Sequence, residues 1–342
     1  MNPTVTVIVP AYNASATLPL CLKALLEEPE QDKEIIVVDD CSTDATPEIA
    51  GSMGVPIIQT SKRGGPAAAR NLGAEKATGK ILFFVDADVV IHKGSISLVQ
   101  EILQEERLAA VFGSYDDEPA EQNFLSQYKN LLHHFVHHNS DVDASTFWAG
   151  CGAIRKDVFL SANGFNAIEY PHPSIEDIEL GVRLKQKQFM IRLDKRLQGK
   201  HLKKWSTLSL LKADILYRAY PWSRLIADMG EVPNQLNLHS SQRFSAMLSA
   251  LFFGVVLIGI FLPSWLILLQ AMPLLALIVL LNRSLYAFFL RKKGLIFLTG
   301  VIFWHMLYYI YSGIVFVYCW IRYRILPSGR RTSLHEVRSE NR

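Results

Sequence analysis

The sequence predicts an α/β fold built on a largely parallel sheet, followed by an apolar helical region. Three observations carry this. Short β-branched runs alternate with helical spacings from residue 5 to residue 90. Each run stops at acidic or polar residues. Charged residues are then missing from Phe244 to Asn282, and again from Gly294 to Ile321.

"VTVIVP" (5–10) and "EIIVVDD" (34–40) read as strands, and "SATLPLCLKALLEE" (15–28) between them has helical apolar spacing. "TPEIAGSM" and "GPAAARNLGAEKA" read as further helices, with "PIIQT" between them and "ILFFV" (81–85) as the strand they lead into. Alternation of this kind belongs to a parallel sheet. Tyr12, Asp39, Asp40, Asp86 and Asp88 then gather at its carboxyl edge, where doubly wound folds bind nucleotides. Beyond Glu101 the pattern loosens, with helices expected at "EQNFLSQYKNLLHHFVHH" (121–138) and "PSIEDIELGVRLKQKQF".

"VDADV" raises the question of what two carboxylates do at the end of a buried strand. An unpaired charge cannot follow the strand inward without a cost of several kcal/mol or a shifted pKa. Oxygen ligands one residue apart suit a hard divalent cation carrying a phosphate. A polar loop is the plainer alternative for a short acidic motif taken alone.

The chain has 342 residues, 50% of them hydrophobic, and a net charge of +3. Both uncharged runs reach the ~20 residues that a membrane-spanning helix needs. Phe244–Leu281 is too long for one crossing and is interrupted at "LPSW" (262–265), so two short helices and a third from Leu295 to Ile321 are expected. Arg283, Arg291, Lys292 and Lys293 precede that third helix and Arg322, Arg324, Arg330 and Arg331 follow it, so the positive-inside rule cannot hold at both ends. One element is then re-entrant or interfacial. The opening residues lack a basic and apolar leader, which places the front of the chain in the cytosol. Four cysteines without CxxC spacing argue for reduced structural thiols. From Asp194 to Arg224, cations alternate with Trp205, Tyr217, Tyr220 and Trp222, a mixture suited to a membrane surface. Without a recognised nucleic-acid module, that stretch gives no reason to expect a nucleic-acid partner.

"VTVIVPAYNA", "IIVVDDCSTDAT", "GGPAAARNLGAEKATGKILFFVDADV", "AGCGAIRKDVF" and "IEDIELGVRL" stand in this order over roughly residues 4–205. Together they resemble the inverting family-two glycosyltransferases, which have a GT-A fold with a Rossmann-like nucleotide-binding sheet. The resemblance implies transfer of a sugar from a UDP- or GDP-linked donor, with Mn²⁺ or Mg²⁺ bridging the diphosphate. Asp88 would be the direct metal ligand, and Asp86 would meet the ribose or reach the metal through water. His201 matches a further metal ligand of some relatives, favouring manganese; an interfacial histidine is the plainer reading.

Pro10 and Tyr12 would border the base, and Asp39 and Asp40 would bind base or ribose, although "DDCSTDAT" also satisfies a turn with Asx caps. Arg70 would lie near the diphosphate, or be a solvated helix arginine. Asp177 matches the general base, with Glu176 as fallback; a carboxylate in a first helical turn is otherwise a macrodipole partner, and an ionised phosphate acceptor needs no base. Gly150, Cys151 and Gly152 would form the acceptor floor with Lys203, Cys151 as packing rather than as nucleophile. "HHFVHH" has i, i+4 histidine pairs but no third ligand placed by the sequence, so a polar helix face is preferred to a metal site.

Two departures bear on the acceptor. Relatives acting on polyprenyl phosphate carry a glutamate after "PAYN", where this chain has Ala14, and "HLKKW" is not the QxxRW block of processive synthases. The expectation is a catalytic domain over 1–205, an amphipathic interfacial segment over 206–243, a transmembrane region of about three helices over 244–325, and a basic tail over 326–342. Single-sugar transfer to a lipid or lipid-linked acceptor at the cytosolic face of the cell membrane is the leading function, amid membrane lipids. A processive polysaccharide synthase and a non-enzymatic nucleotide-binding scaffold are the alternatives.

Overall fold

The computed structural model describes residues 4–229, 240–262 and 264–326. Pro263 of the "LPSW" break, part of the expected interfacial segment, and the tail beyond Leu326 with Arg330 and Arg331 lie outside the described residues. Two compact units meet in sequence between Ser206 and Thr207.

In the first unit the strands are β1 (Val5–Ala11), β2 (Lys33–Asp39), β3 (Ile57–Gln59), β4 (Ile81–Val85), β5 (Val89–Ile91), β6 (Leu108–Tyr115), β7 (Cys151–Arg155) and β8 (Met190–His201). The helices are α1 (Leu18–Leu26), α2 (Thr46–Ser52), α3 (Gly65–Lys76), α4 (Ser95–Ile102), α5 (Phe124–His138), α6 (Lys156–Ser161) and α7 (Glu176–Gln186). The sheet order is β3-β2-β1-β4-β7-β6-β8-β5.

The first four strands in that order are parallel, as the alternation predicts, and Ala11 lies beside Asp39 in register. β7 is antiparallel to both β4 and β6, so the sheet is mixed rather than wholly parallel. Only Asp86, Ala87 and Asp88 separate β4 from β5 in the chain, yet three strands lie between them in the sheet. The β4–β5 half must therefore curl back on itself. The acidic motif sits at that closure.

Each face of the sheet is covered, which is why β4 is apolar throughout. Val5, Val7, Val9, Phe83 and Val85 pack on one side with Leu18, Leu22 and Val99. Ile8, Leu82 and Phe84 pack on the other with Ala67, Phe159 and Leu180.

One sequence expectation changes here. Residues 194–201, read as the start of a membrane-surface segment, belong to β8, whose alternating burial puts Leu193, Leu197 and Gly199 inward. Two of their three cations are paired within the unit: Arg196 with Asp194 and Glu101, and Lys200 with Glu118. Trp205 is 5% exposed rather than free to anchor, and its carbonyl accepts a hydrogen bond from Asn123.

The second unit runs α8 (Thr207–Lys212), a π-helical stretch Ala213–Ala219, α9 (Tyr220–Met229), α10 (Ser240–Phe261), α11 (Trp265–Leu269), α12 (Ala271–Leu281) and α13 (Arg283–Trp320), closed by a second π-helical turn, Ile321–Ile325. Ser240–Phe261 and Arg283–Ile325 are long and apolar enough to cross a membrane; Trp265–Leu281 is shorter. The last helix starts at Arg283 rather than Leu295, because Gly294 kinks it (φ 80°, ψ 179°) instead of ending it. Leu248, Ile278 and Met306 form its small apolar core. Polar groups are paired inside: Tyr309 donates to Asn282 (2.9 Å), and Asn282 donates to Ser245 (3.0 Å).

Candidate active site

Parallel strands in register bring the ends of β1, β2 and β4 to one edge. The loops there are stitched together by their own polar residues. Asn13, in the left-handed region at φ 49°, accepts from the Thr43 N–H (2.8 Å), while Ala14 N–H donates to Thr46 Oγ1 (2.8 Å) and Ser15 N–H to Asp44 (3.1 Å).

The buried acids Asp39 and Asp40 serve the backbone. Asp39 accepts from the Ser42 N–H, three residues on, at 3.2 Å. Asp40 accepts from the Gly64 and Gly65 N–H groups (2.8 and 2.7 Å) and from Thr60 Oγ1 (3.0 Å), fixing the start of α3. Gly65 is required there: its φ is +79°, and a Cβ would meet the Pro171 carbonyl at 2.5 Å. Pro10 is the last residue but one of β1, and Tyr12, just past the strand, is 38% exposed. The Arg63 guanidinium lies 3.9 Å over the Tyr12 ring. No sequence signal marked Arg63, since its role depends on the loop that Asp40 holds.

At the end of β4 the two carboxylates diverge. Asp86 turns to Arg70 (2.6 Å), whose other terminal nitrogen meets Glu176 at 2.9 Å. Arg70 is thus a buried bridge between the acidic motif and the first turn of α7 rather than a solvated helix arginine. Glu176 also accepts from the Ser174 N–H (2.9 Å), so both its oxygens are occupied.

Asp177 is half-buried beside it. Its carboxylate accepts from Ala149 N–H (3.0 Å) and Ile178 N–H (2.8 Å). Burial, then the neighbouring Glu176 charge, push the carboxyl up to about 7, opposed by the Ala149 hydrogen bond and Arg70.

Asp88 faces the end of β8. Its Oδ2 is 3.7 Å from His201 Nε2 and 4.0 Å from Lys203 Nζ. Burial alone would raise this carboxyl, but His201 and Lys203 hold it well below the usual carboxylate range. Lys203 also lies 4.7 Å over the Trp205 ring.

The donors present suit a divalent cation in part. Asp88 and His201 stand wider apart than a hydrogen bond, so a carboxylate oxygen and an imidazole nitrogen face each other across a gap that a cation could bridge once the ring is neutral. Among the described residues, no group of three or more His, Cys, Asp or Glu side chains assembles a metal site. A cation here would therefore take its remaining ligands from phosphate oxygens and water, the usual arrangement for magnesium.

β7 begins at the same edge. Gly150 accepts from the Asp86 N–H (3.1 Å), and a Cβ on Gly150 would meet the Trp148 ring at 2.5 Å. A Cβ on Gly152 would collide with the Trp148 carbonyl and the Phe147 ring. Cys151 is buried, opposite Val85, and burial pushes its thiol up. Its side chain belongs to the apolar core on that side of the sheet. The α5 histidines face β6: His134 and His137 contact the Tyr115 and Gly113 carbonyls at 2.9 Å, and His138 contacts Ser114 at 3.0 Å.

Residues 6–161 match the family described as Glycosyl transferase family 2. Over 120 residues the chain is 32% identical to glycosyltransferase GlyG of Streptococcus pneumoniae serotype 4, covering 34% of this chain and 40% of the relative. It is 29% identical over 141 residues to a protein described as putative teichuronic acid biosynthesis glycosyltransferase TuaG of Bacillus subtilis, covering 40% and 53%. The matched region thus spans about half the length of these relatives or less. Among solved structures, mannosyltransferase PcManGT of Pyrobaculum calidifontis, in complex with GDP-Man and Mn²⁺, aligns over 93% of this chain and 88% of its own with a TM-score of 0.56 at 16% identity, a likeness of fold. Residues 6–161 are thus similar in sequence to family-two glycosyltransferases, and the first unit, with its curled mixed sheet and acidic edge, has a GT-A-like fold.

Proposed function

We propose that this protein is an inverting glycosyltransferase that moves one sugar from a UDP- or GDP-linked donor to a lipid or lipid-linked acceptor at the cytosolic face of a membrane. The observation that carries this reading is the Arg70 bridge, which ties the acidic motif at the end of β4 to the carboxylates that open α7. Donor-side and acceptor-side groups are thereby held in one rigid frame.

Pro10, Tyr12 and Arg63 would border the base, in a pocket whose walls Asp39 and Asp40 hold through backbone hydrogen bonds. Asp86, set by Arg70, would meet the ribose. Asp88 and His201 would hold Mn²⁺ or Mg²⁺, which when bound neutralises charge on the diphosphate. Lys203 lies close enough to Asp88 to serve the phosphate or acceptor side. Gly150, Cys151 and Gly152 bring backbone near the acceptor, and Asp177 takes its proton.

In the step itself, the acceptor oxygen attacks the anomeric carbon from the face opposite the diphosphate. The carbon–oxygen bond to phosphate breaks, its electron pair leaves with the nucleoside diphosphate, and the acceptor proton passes to Asp177. A pKa near the working pH suits that base. Glu176, occupied at both oxygens, supports Asp177 rather than replacing it.

The membrane part rests on two helices of crossing length in the second unit, and the cytosolic face is supported by free, buried thiols at Cys21 and Cys151. The reading divides the chain into a catalytic domain over 1–205, an amphipathic segment to residue 243, a membrane region over 244–325, and a basic tail. The test is release of UDP or GDP from a panel of nucleotide sugars by the full chain in detergent, with Mn²⁺ or Mg²⁺, with and without polyprenyl phosphate or lipid extract. Lipid-dependent release that EDTA and Asp88→Ala both abolish is expected. Release that is indifferent to lipid would remove the acceptor class, and a product growing beyond one sugar would favour a processive synthase.

A further inference from the structure

Tyr115 ends β6 at the same edge of the sheet, and nothing in its sequence context marks it. Its ring lies flat on the His201 imidazole, with centroids 4.0 Å apart and planes within 9°. Its edge meets Trp148 at 4.9 Å and 87°, and His133 packs on it at 4.4 Å. His133 in turn packs on His137 (3.9 Å), whose Nδ1 contacts the Gly113 carbonyl. The "HHFVHH" helix thus ends in an aromatic stack that reaches His201.

His201 has a particular need of such a support. Its Nε2 faces Asp88 at 3.7 Å, too far for that carboxylate to orient the ring by a hydrogen bond. An imidazole ligand is useful only when its ring plane and nitrogen are held in place, and the partners that do this affect metal affinity strongly. Here a parallel ring contact fixes the plane, and Trp148 and His133 fix the ring that makes it.

We propose that Tyr115 is a positioning residue that holds the His201 imidazole towards Asp88 for the divalent cation. The inference rests on the reading of His201 as a ligand. The ring, not the phenolic hydroxyl, does the work, so phenylalanine should replace tyrosine and an aliphatic side chain should not.

The experiment uses the full chain in detergent with UDP or GDP, and Mn²⁺ as the probe. Affinity is read from the free-ion EPR signal, and ¹⁴N modulation on the bound ion reports the imidazole. His201→Ala should weaken Mn²⁺ and erase the nitrogen modulation. Tyr115→Leu and the bulkier Tyr115→Met should weaken Mn²⁺ about 10-fold and reduce that modulation, while Tyr115→Phe stays close to the parent on both. Metal-free nucleotide binding, unchanged in each, shows that the fold is intact. Should one aliphatic variant fail to fold, the other carries the test. Tyr115→Leu or Tyr115→Met with parental affinity and modulation, beside a weakened His201→Ala, would overturn the role of Tyr115 alone. A parental His201→Ala would overturn the ligand reading and the inference with it.

Discussion

Asp177 illustrates how a single carboxyl is tuned by what surrounds it. Burial and Glu176 raise it to about 7, while Ala149 N–H and Arg70 pull the other way. A base acts only when deprotonated, so transfer to a hydroxyl acceptor should fall as pH drops through about 7 and level off above it; the profile of kcat/KM against pH checks this. Asp177→Asn should lose about 10²–10⁴-fold in kcat with nucleotide binding retained, and a loss below tenfold would return the proton to another group. Arg70→Met removes the cation that lowers Asp177, so the acid limb should move to higher pH. It also strands Glu176, which is buried, and Asp86, whose side chain is 30% exposed. Breaking a buried pair costs about 3–5 kcal/mol, with the Asp86 share reduced by solvent, and thermal unfolding of the full chain should show a clear fall in Tm. An unchanged Tm would mean that the bridge is not maintained in solution.

At the scale of elements, legibility followed the source of each element's stability. The first four strands of the sheet order and α1 to α3 were readable because alternation and helical spacing are local. β7 was not readable as antiparallel, since its direction is set by pairing with β4 and β6. β8 was not legible as a strand because its long cations look like a membrane-surface run until their partners, Glu101, Asp194 and Glu118, are known. For the site, the residue types were legible, but their partners were not: Asp40 serves Gly64 and Gly65, and Arg70 serves two carboxylates. Tyr115 and Arg63 were invisible because ring contacts between distant segments leave no spacing. Gly294 gives an element-scale prediction. Its φ of 80° with ψ of 179° is open almost only to glycine, and nothing lies within 4 Å of the Cβ position. Gly294→Ala should therefore cost ~1–3 kcal/mol through backbone strain alone, or straighten α13, and spin-label distances between its two halves before and after substitution separate the two.

On the scale of the whole molecule, the chain joins two units of different physical character. The first buries its apolar residues in two cores on either side of a sheet. The second leaves Phe261, Leu262, Trp265, Leu266 and Ile296 at 57% exposure or more, which in water would be an aggregation liability and in lipid is a solvated surface. A lipid-facing second unit would also account for its internal pairing of Asn282 with Ser245 and Tyr309, since polar groups in hydrocarbon must find partners within the protein. The full chain should accordingly stay with membranes through an alkaline carbonate wash and leave them only with detergent. Chain ended at Ser206 keeps both cores and every residue proposed for donor binding, so it should be recovered without detergent and bind UDP or GDP with near-parental affinity. Transfer to an acceptor embedded in lipid should nevertheless fall well below that of the full chain, because encounter at the membrane surface is lost. If the shortened chain transferred to lipid as fast as the parent, the second unit would have no part in presenting the acceptor, and its apolar surface would need another occupant.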